Sequence, residues 1–306
     1  MKDRKNDTNS TLEVPVKFLN IHAHFDDFEF TAAGIFELAR RRGGELFEAR
    51  MVVCTDGAAG HHQLTRAQTA AVREREQRAA AEIGGIELHG LRYPDGSRPR
   101  DGCMGVESRL LAALWKEIRD FRPEYLFCPP IPSNPLVGVH VDHLVVAEAM
   151  RRVAYLVNVP HAFTPEYPQE DGPAEFVQTP VILNVFDCYM FENEGFDLAV
   201  DVSEVFEVIV EESWCHQSQI KEWLPWVKGD IGLIPEDFSA WRDVLRQRYQ
   251  AANRSAGISS DRMYEFFTLT DWGSCPALDR LLADLPGIDP EISRLDRLEK
   301  KIKRCQ

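Results

Sequence analysis

The segment Phe18-Leu19-Asn20-Ile21-His22-Ala23 runs directly into His24-Phe25-Asp26-Asp27 near the start of this 306-residue chain. The apolar residues predict a buried strand, and the polar residues after it form a turn before the helical spacing of Phe30 to Arg42. A second polar motif, His140-Val141-Asp142-His143, precedes another helix-like segment that begins at Leu144. These two motifs dominate what the sequence predicts about the fold and the site.

Strand-like and helix-like segments alternate through the first half of the chain. The further predicted strands are Leu46 to Thr55, Ile86 to Tyr93 and Tyr125 to Pro129, and the helices between them are Thr65 to Ile83 and Glu107 to Phe121. Such alternation is typical of a parallel sheet with right-handed crossover helices. We therefore predict an α/β fold, a Rossmann-like three-layer sandwich with a mostly parallel sheet.

The pattern is less regular beyond residue 150. Val181 to Phe191 and Phe196 to Val202 are predicted strands, and Ser203 to Val227 is predicted as one helix with Ser203 as its N-cap. We therefore expect a C-terminal α+β extension of the sandwich. The predicted division is a disordered lead-in over 1–14, one domain over 15–270 and a helical tail over 271–306.

Composition limits the classes of protein and partner. Hydrophobic residues make up 44% of the chain, which is enough for a sizeable core. The net charge of −14 at pH 7 argues against nucleic acid or an anionic membrane as a partner, and it fits a small neutral or cationic molecule. No stretch is apolar enough to span a bilayer, and Met1 to Glu13 lacks the apolar core of a secretory signal.

The seven cysteines are scattered and form no Cys-x-x-Cys motif, which favours free thiols in a reducing compartment. We therefore expect a cytoplasmic protein. A homo-oligomer stays open, because nothing in the sequence decides the oligomeric state.

The polar motifs follow strands of the predicted sheet, and the carboxyl ends of parallel strands meet at one edge, where function collects. His24, Asp27 and His143 are a two-histidine, one-carboxylate set. Catalytic zinc sites use such a set and keep one position open for water. Non-haem iron sites use the same set, so Fe²⁺ stays an alternative to Zn²⁺.

The other polar residues of the motifs suit proton transfer. Asp26 lies beside the predicted ligands and can act as general base. His140 is left unligated, free to donate a proton or stabilise an oxyanion, and Asp142 can orient a ring nitrogen. The alternatives are a helix cap for the first motif and a solvated loop for the second. Their shared sheet edge favours the metal site.

These residues resemble those of the PIG-L/LmbE-like family of metal-dependent N-acetylglucosaminyl deacetylases. The matching segments are Ala23 to Glu29, Thr55 to Gly60, Arg73-x-x-Glu76, Asp95-Gly96, His140 to His143, His216 to Gln219 and Tyr264 to Phe267. Two positions depart from the family pattern. Phe25 replaces a proline and Ala33 replaces a glycine, and neither change removes a predicted ligand.

The resemblance implies a zinc-dependent hydrolase that removes an N-acetyl or other N-acyl group from an amino sugar by cleaving a linear amide with metal-activated water. The roles it implies are metal ligation by His24, Asp27 and His143, catalysis by Asp26, His140 and Asp142, and substrate contacts from Arg73 and Asp95. For Arg73 a solvated ion pair, and for Asp95 a simple turn, are the structural alternatives.

Three other functions stay open or are disfavoured. One is an amidase for another N-acylated small molecule, such as a thiol-precursor glycoside or an antibiotic. Another is a non-catalytic sugar-binding relative, although no ligand or base is missing. A nucleotide-binding domain is disfavoured, because the first strand is not followed by Gly-x-Gly-x-x-Gly.

Overall fold

The computed structural model describes residues 16–186 and 195–305. The seven strands are β1 (Val16–His22), β2 (Phe47–Val53), β3 (Glu87–Gly90), β4 (Tyr125–Cys128), β5 (Val181–Val185), β6 (Leu198–Asp201) and β7 (Tyr264–Leu269). The lead-in predicted over 1–14, and residues 187–191 of one predicted strand, lie outside the described residues.

The strands form one sheet in the order β3-β2-β1-β4-β5-β7-β6. The first five run parallel, whereas β7 is antiparallel to both β5 and β6. This confirms the predicted mostly parallel sheet. The sequence reasoning missed β7, although its aromatic residues favour a strand.

The helices are α1 (Ala33–Gly43), α2 (Arg66–Gly84), α3 (Ser108–Phe121), α4 (Val141–Ala154), α5 (Phe206–Trp214), α6 (Leu224–Lys228), α7 (Phe238–Ser255), α8 (Leu278–Asp284) and α9 (Leu295–Cys305). No helix in the two described ranges has both the length and the apolar character needed to cross a bilayer.

The single helix predicted from Ser203 is wrong. The chain there forms a 3₁₀ turn, α5, a π-helix over Ser218–Trp223 and α6. Ser203 does not cap a helix, because its Oγ accepts a hydrogen bond from Met263 N–H beside β7. The N–H and Oγ of Ser218 both donate to Glu76 on α2, at 2.8 and 2.6 Å. The backbone N–H of Ser218 therefore bonds to another helix and not to a carbonyl of its own helix.

The sheet is buried on both faces, which explains its nearly continuous apolar strands. Phe18 and Phe127 face one side, where α1, α5 and α7 pack. Leu19 and Leu126 face the other side, where α3 and α4 pack. These layers confirm the predicted three-layer α/β architecture.

Helix α2 is positioned by strong signals at its two ends. Thr65 and Gln68 form a capping box at its start, and Gly85 ends it with φ 64°. Its buried face includes Thr69, Arg73, Glu76, Gln77 and Ala80, which recur at helical spacing. The helix therefore directs polar side chains, and not only apolar ones, toward the interior.

Helix α9 packs against the main body of the protein through Leu298 and Ile302, which are buried. Its Lys301 Nζ donates to the buried carboxylate of Asp197 at 2.6 Å and to the Leu269 carbonyl at 3.0 Å. These contacts join the last helix to the antiparallel side of the sheet.

Candidate functional site

The end of β1 and the start of α4 bring three of the predicted side chains together. His24 N–H donates to Asp27 Oδ2 at 2.8 Å, which closes the turn after β1. Asp27 Oδ2 lies 3.2 Å from His143 Nε2 and 3.6 Å from His24 Nδ1, and these two ring nitrogens are 3.1 Å apart. The strand order places β1 beside β4, so residues far apart in sequence meet at one sheet edge.

These donor atoms have the spacing that a tetrahedral cation needs. Ligand bonds of about 2.0–2.2 Å at tetrahedral angles place neighbouring donor atoms about 3.3 Å apart. The observed separations of 3.1 to 3.6 Å match this spacing. Burial opposes ionisation of Asp27, but His143, His22 and His24 lower the pKa of its carboxyl well below the usual range. The donor set therefore fits a divalent metal.

The second nitrogen of the His24 ring faces two carboxylates. His24 Nε2 lies 3.2 Å from Asp142 Oδ2 and 3.5 Å from Asp101 Oδ1. Asp142 also accepts hydrogen bonds from Gly102 N–H at 2.6 Å and Met104 N–H at 3.4 Å. Burial lowers the pKa of His24, but Asp101, Asp142 and Asp27 outweigh it and raise that pKa well above the usual value.

The carboxylate of Asp142 is closer to His24 than to His140. It lies 3.9 Å from His140 Nδ1, and that nitrogen accepts the backbone N–H of Asp142 at 3.2 Å. Because Nδ1 is the acceptor, the ring proton of neutral His140 belongs on Nε2. Burial and the neighbouring His24 lower the pKa of His140, which favours this neutral form. The orientation of His140 thus comes from the backbone of Asp142.

Asp101 is a member of the site that the sequence reasoning missed. It is buried and accepts Ala59 N–H at 2.9 Å, and its other oxygen faces His24. Burial opposes ionisation, but the hydrogen bond with His24 lowers the pKa of Asp101 to about 2. Asp101 follows β3 in the chain, so the sheet-edge rule that singled out Asp95 could also have found it.

Arg73 reaches the site from α2 and is buried, which rules out the solvated ion pair considered from the sequence. Its Nη2 donates to the carbonyl of Phe25 at 2.8 Å and to Asp26 Oδ1 at 3.3 Å. Burial raises the pKa of Asp26 to about 6, although Arg73 and His216 oppose this. Asp26 and Asp27 are adjacent, yet one faces an arginine and the other faces histidines.

The comparison with family sequence models identifies the first half of the chain. Residues 19–154 match the PIG-L family, described as GlcNAc-PI de-N-acetylase. The chain contains a PIG-L domain. The predicted resemblance is thereby confirmed over these residues, which include every predicted site residue. No curated protein sequence matches the chain significantly.

Several solved structures share the fold. N,N'-diacetylchitobiose deacetylase from Pyrococcus horikoshii is 20% identical, with 83% of each chain covered and a TM-score of 0.61. The conserved protein TT1542 from Thermus thermophilus is 17% identical, covering 83% of this chain and 94% of that one, with a TM-score of 0.58. The 4-carboxy-2-hydroxymuconate hydratase GalB from Pseudomonas putida is 18% identical, covering 83% and 96%, with a TM-score of 0.55.

Asp95 occupies a different place in the PIG-L domain from the other predicted site residues. Its carboxylate accepts hydrogen bonds from Ser97 N–H at 2.9 Å and Ser97 Oγ at 2.6 Å in an exposed turn. Among the described residues, Ser97 is its sole hydrogen-bond partner. The contact with substrate predicted for Asp95 stays a prediction.

Phe25, which replaces the family proline in this PIG-L domain, is buried instead of lining an opening. The guanidinium groups of Arg73 and Arg98 lie 5.8 and 5.6 Å from the centre of its ring. Gly57, with φ 62°, packs so closely on this ring that a Cβ atom there would lie 2.5 Å from it. Phe25 therefore fills the space beneath the loop that follows β2.

Proposed function

We propose that this protein is a metal-dependent N-deacylase that removes an acetyl group from an amino sugar, with Zn²⁺ as the metal and Fe²⁺ as the alternative. The observation that carries the proposal is the convergence of His24, Asp27 and His143 beside the separate carboxylate of Asp26. The PIG-L family description and the diacetylchitobiose deacetylase of the same fold support an N-acetyl amino sugar as substrate. The fold alone does not, because a hydratase shares it.

The residues divide the chemistry between them. A divalent cation held by the three ligands would polarise the acyl carbonyl and make water more acidic. Asp26 would accept the proton of the attacking water, since it lies beside the ligand set and its carboxylate faces Arg73 rather than the ligand histidines. His140 would donate a hydrogen bond from its Nε2–H to the oxyanion, and protonated Asp26 would pass its proton to the leaving amine.

The proposal is tested by metal analysis of the purified protein together with acetate release from a panel of N-acetyl sugars. The panel includes N-acetylglucosamine, its β-1,4-linked dimer and an alkyl glycoside. We expect about one Zn²⁺ or Fe²⁺ per chain, bound by His24, Asp27 and His143. We also expect loss of acetate release on chelation and its return on adding metal.

The variant Asp26→Asn isolates the base from the metal. It should lower kcat by about 10²- to 10⁴-fold, the usual contribution of a general base. Bound metal should remain, because the predicted ligands are unchanged. Asp120→Asn, an exposed aspartate on α3 that pairs with Lys116, is the matched control. Near-wild-type activity in the Asp26 variant would overturn the assigned role, and absence of both metal and acetate release would favour a non-catalytic sugar-binding protein.

A further inference from the structure

Asp26 holds an uncommon backbone conformation. Its φ is +79°, and among the described residues the other non-glycine residue with positive φ is Arg122, which ends α3. A helix end commonly takes this conformation, whereas Asp26 lies within the candidate site. Residues held in this region carry conformational strain, which persists where surrounding contacts impose it. The contacts around Asp26 therefore identify what imposes it.

Gln77 supplies the contact with the Asp26 backbone. Its Oε1 accepts the N–H of Asp26 at 2.9 Å, and the side chain is completely buried. Arg73, one helical turn earlier on α2, binds the carbonyl of Phe25 and the carboxylate of Asp26. The peptide group between Phe25 and Asp26 is thus held through both its N–H and its carbonyl by one face of α2.

The orientation of the Gln77 amide is fixed in turn. Its Nε2 donates to Glu29 Oε1 at 2.5 Å, so Oε1 must face Asp26. The other oxygen of Glu29 lies 3.4 Å from His216 Nε2. Glu29 and His216 are both fully buried. A reversed amide would put two donors against each other at Asp26 and two acceptors against each other at Glu29.

We propose that Gln77 is a positioning residue for Asp26, held in its working orientation by Glu29 and His216. The part of the proposal that concerns catalysis rests on the proposed role of Asp26 as general base. The part that concerns the backbone conformation of Asp26 does not. The proposal gives Glu29 and His216 a role in the site, because Glu29 accepts from the Gln77 amide and His216 lies against the other oxygen of Glu29. It also explains why two adjacent aspartates face different partners.

Hydrogen exchange at the Asp26 amide tests the contact without any turnover. In Gln77→Met the amide loses its acceptor, and its exchange measured by NMR should become about 5- to 10-fold faster, as expected for one hydrogen bond. Gln68→Met is the matched control, because Gln68 bonds to Thr65 in the capping box at the start of the same helix, whereas Gln77 bonds to Asp26. It should leave exchange at Asp26 unchanged. Unchanged exchange in Gln77→Met would overturn the proposal.

Kinetics test whether Gln77 acts through Asp26. Gln77→Met should lower kcat by about 10- to 100-fold, as loss of a supporting contact commonly does. Its KM and zinc affinity should each change less than about threefold, since neither the sugar contacts nor the ligands are altered. Gln68→Met should preserve kcat even if it destabilises α2 as much as Gln77→Met does.

A double-mutant cycle separates positioning from a general structural role. In the Asp26→Asn background, Gln77→Met should have no further effect on kcat, because the group that it positions is already lost. Multiplying losses would instead assign Gln77 a structural role and overturn the proposal. If Gln77→Met does not fold, Gln77→Asn takes its place. The shorter side chain also loses the hydrogen bond from Asp26 N–H but keeps a polar group, and the same outcomes are expected. Wild-type protein that releases no acetate from any sugar would refute the proposed function, while the exchange result would still decide the positioning.

Discussion

Asp101 bridges His24 and Arg73 in the candidate site. One of its carboxylate oxygens faces the His24 ring, and the other lies 3.9 Å from Arg73 Nη1. A carboxylate that accepts the outer N–H of a ligating histidine fixes the ring and its tautomer. We predict that Asp101→Asn weakens zinc binding by about 10-fold or more. Competition with a chromogenic chelator measures this affinity directly.

Asp95→Asn is the natural control, since Asp95 lies in the same loop region but is exposed. It should leave zinc affinity unchanged, and acetate release then tests its predicted contact with substrate. Wild-type zinc affinity in Asp101→Asn would refute the role assigned to Asp101, and a rise in KM for Asp95→Asn would support the substrate contact predicted from the sequence.

At the residue scale, the sequence pointed to the members of the metal set because their types and spacing are distinctive. His24, Asp27 and His143 were predicted and lie together. Gln77 was missed because an isolated glutamine carries no pattern of its own, and Asp101 was missed although it follows β3 in the chain as Asp95 does. Their importance comes from tertiary contacts, which place one beside His24 and the other beside Asp26.

At the scale of single elements, α1 begins with a cap from a distant strand. Its first residues have no side-chain cap of their own, and Glu265 on β7 accepts Gly34 N–H at 2.7 Å and Ile35 N–H at 2.9 Å. A Cβ atom on Gly34 would lie 2.9 Å from Glu265 Oε1 and 2.4 Å from Val202, so glycine is required for this approach. Strand β7, which was not predicted from the sequence, therefore stabilises helix α1, which was predicted.

The Glu265 cap predicts a pH dependence of stability. Burial raises the pKa of Glu265 from 4.5 to about 7, although the two amide hydrogen bonds oppose it. Between these values the unfolded chain loses the proton while the folded protein keeps it, so stability falls as pH rises through this window. Relative to Glu265→Gln, the wild-type protein should lose about 3 kcal/mol between about pH 4.5 and pH 8.

Urea unfolding of both proteins at several pH values measures this difference. The comparison does not depend on any constant effect of the glutamine, because only the change with pH is used. A difference between the two proteins that is the same at about pH 5 and about pH 8 would show that Glu265 ionises normally in the folded state.

Elements with local signals were predictable and elements shaped by distant contacts were not. Helix α2 has a capping box and a terminal glycine within its own sequence. The interruption at Ser218 depends on Glu76, which is 142 residues away in sequence. No pattern of local spacing contains that contact, so one long helix was predicted where several short ones occur.

At the scale of the whole molecule, α9 tests whether the last part of the chain is a separate tail or part of one cooperative unit. Leu298 is fully buried, and Lys301 bonds to the buried Asp197. We predict that Leu298→Ala lowers the free energy of global unfolding by about 3 kcal/mol, as for other buried leucines. Glu299→Ala on the exposed face should change it by about 0.5 kcal/mol or less.

Urea unfolding followed by circular dichroism measures both variants, and limited trypsin digestion locates local opening. An unchanged global transition with faster cleavage near Lys300 would support the independent helical tail over 271–306. The fold class and sheet direction were predictable because they follow from alternation along the whole chain. The attachment of α9 was not, because Asp197 lies about a hundred residues before it.

The distance in sequence between the predicted metal ligands also sets when a complete site can exist during synthesis. His24 and His143 are 119 residues apart, and they meet because β1 and β4 are neighbours. A ribosome that adds about 5–20 residues per second takes roughly 6–24 seconds to cover that interval. During this time the nascent chain presents His24 and Asp27 without their partner. A site that contains all three predicted ligands can therefore form only after α4 has left the ribosome.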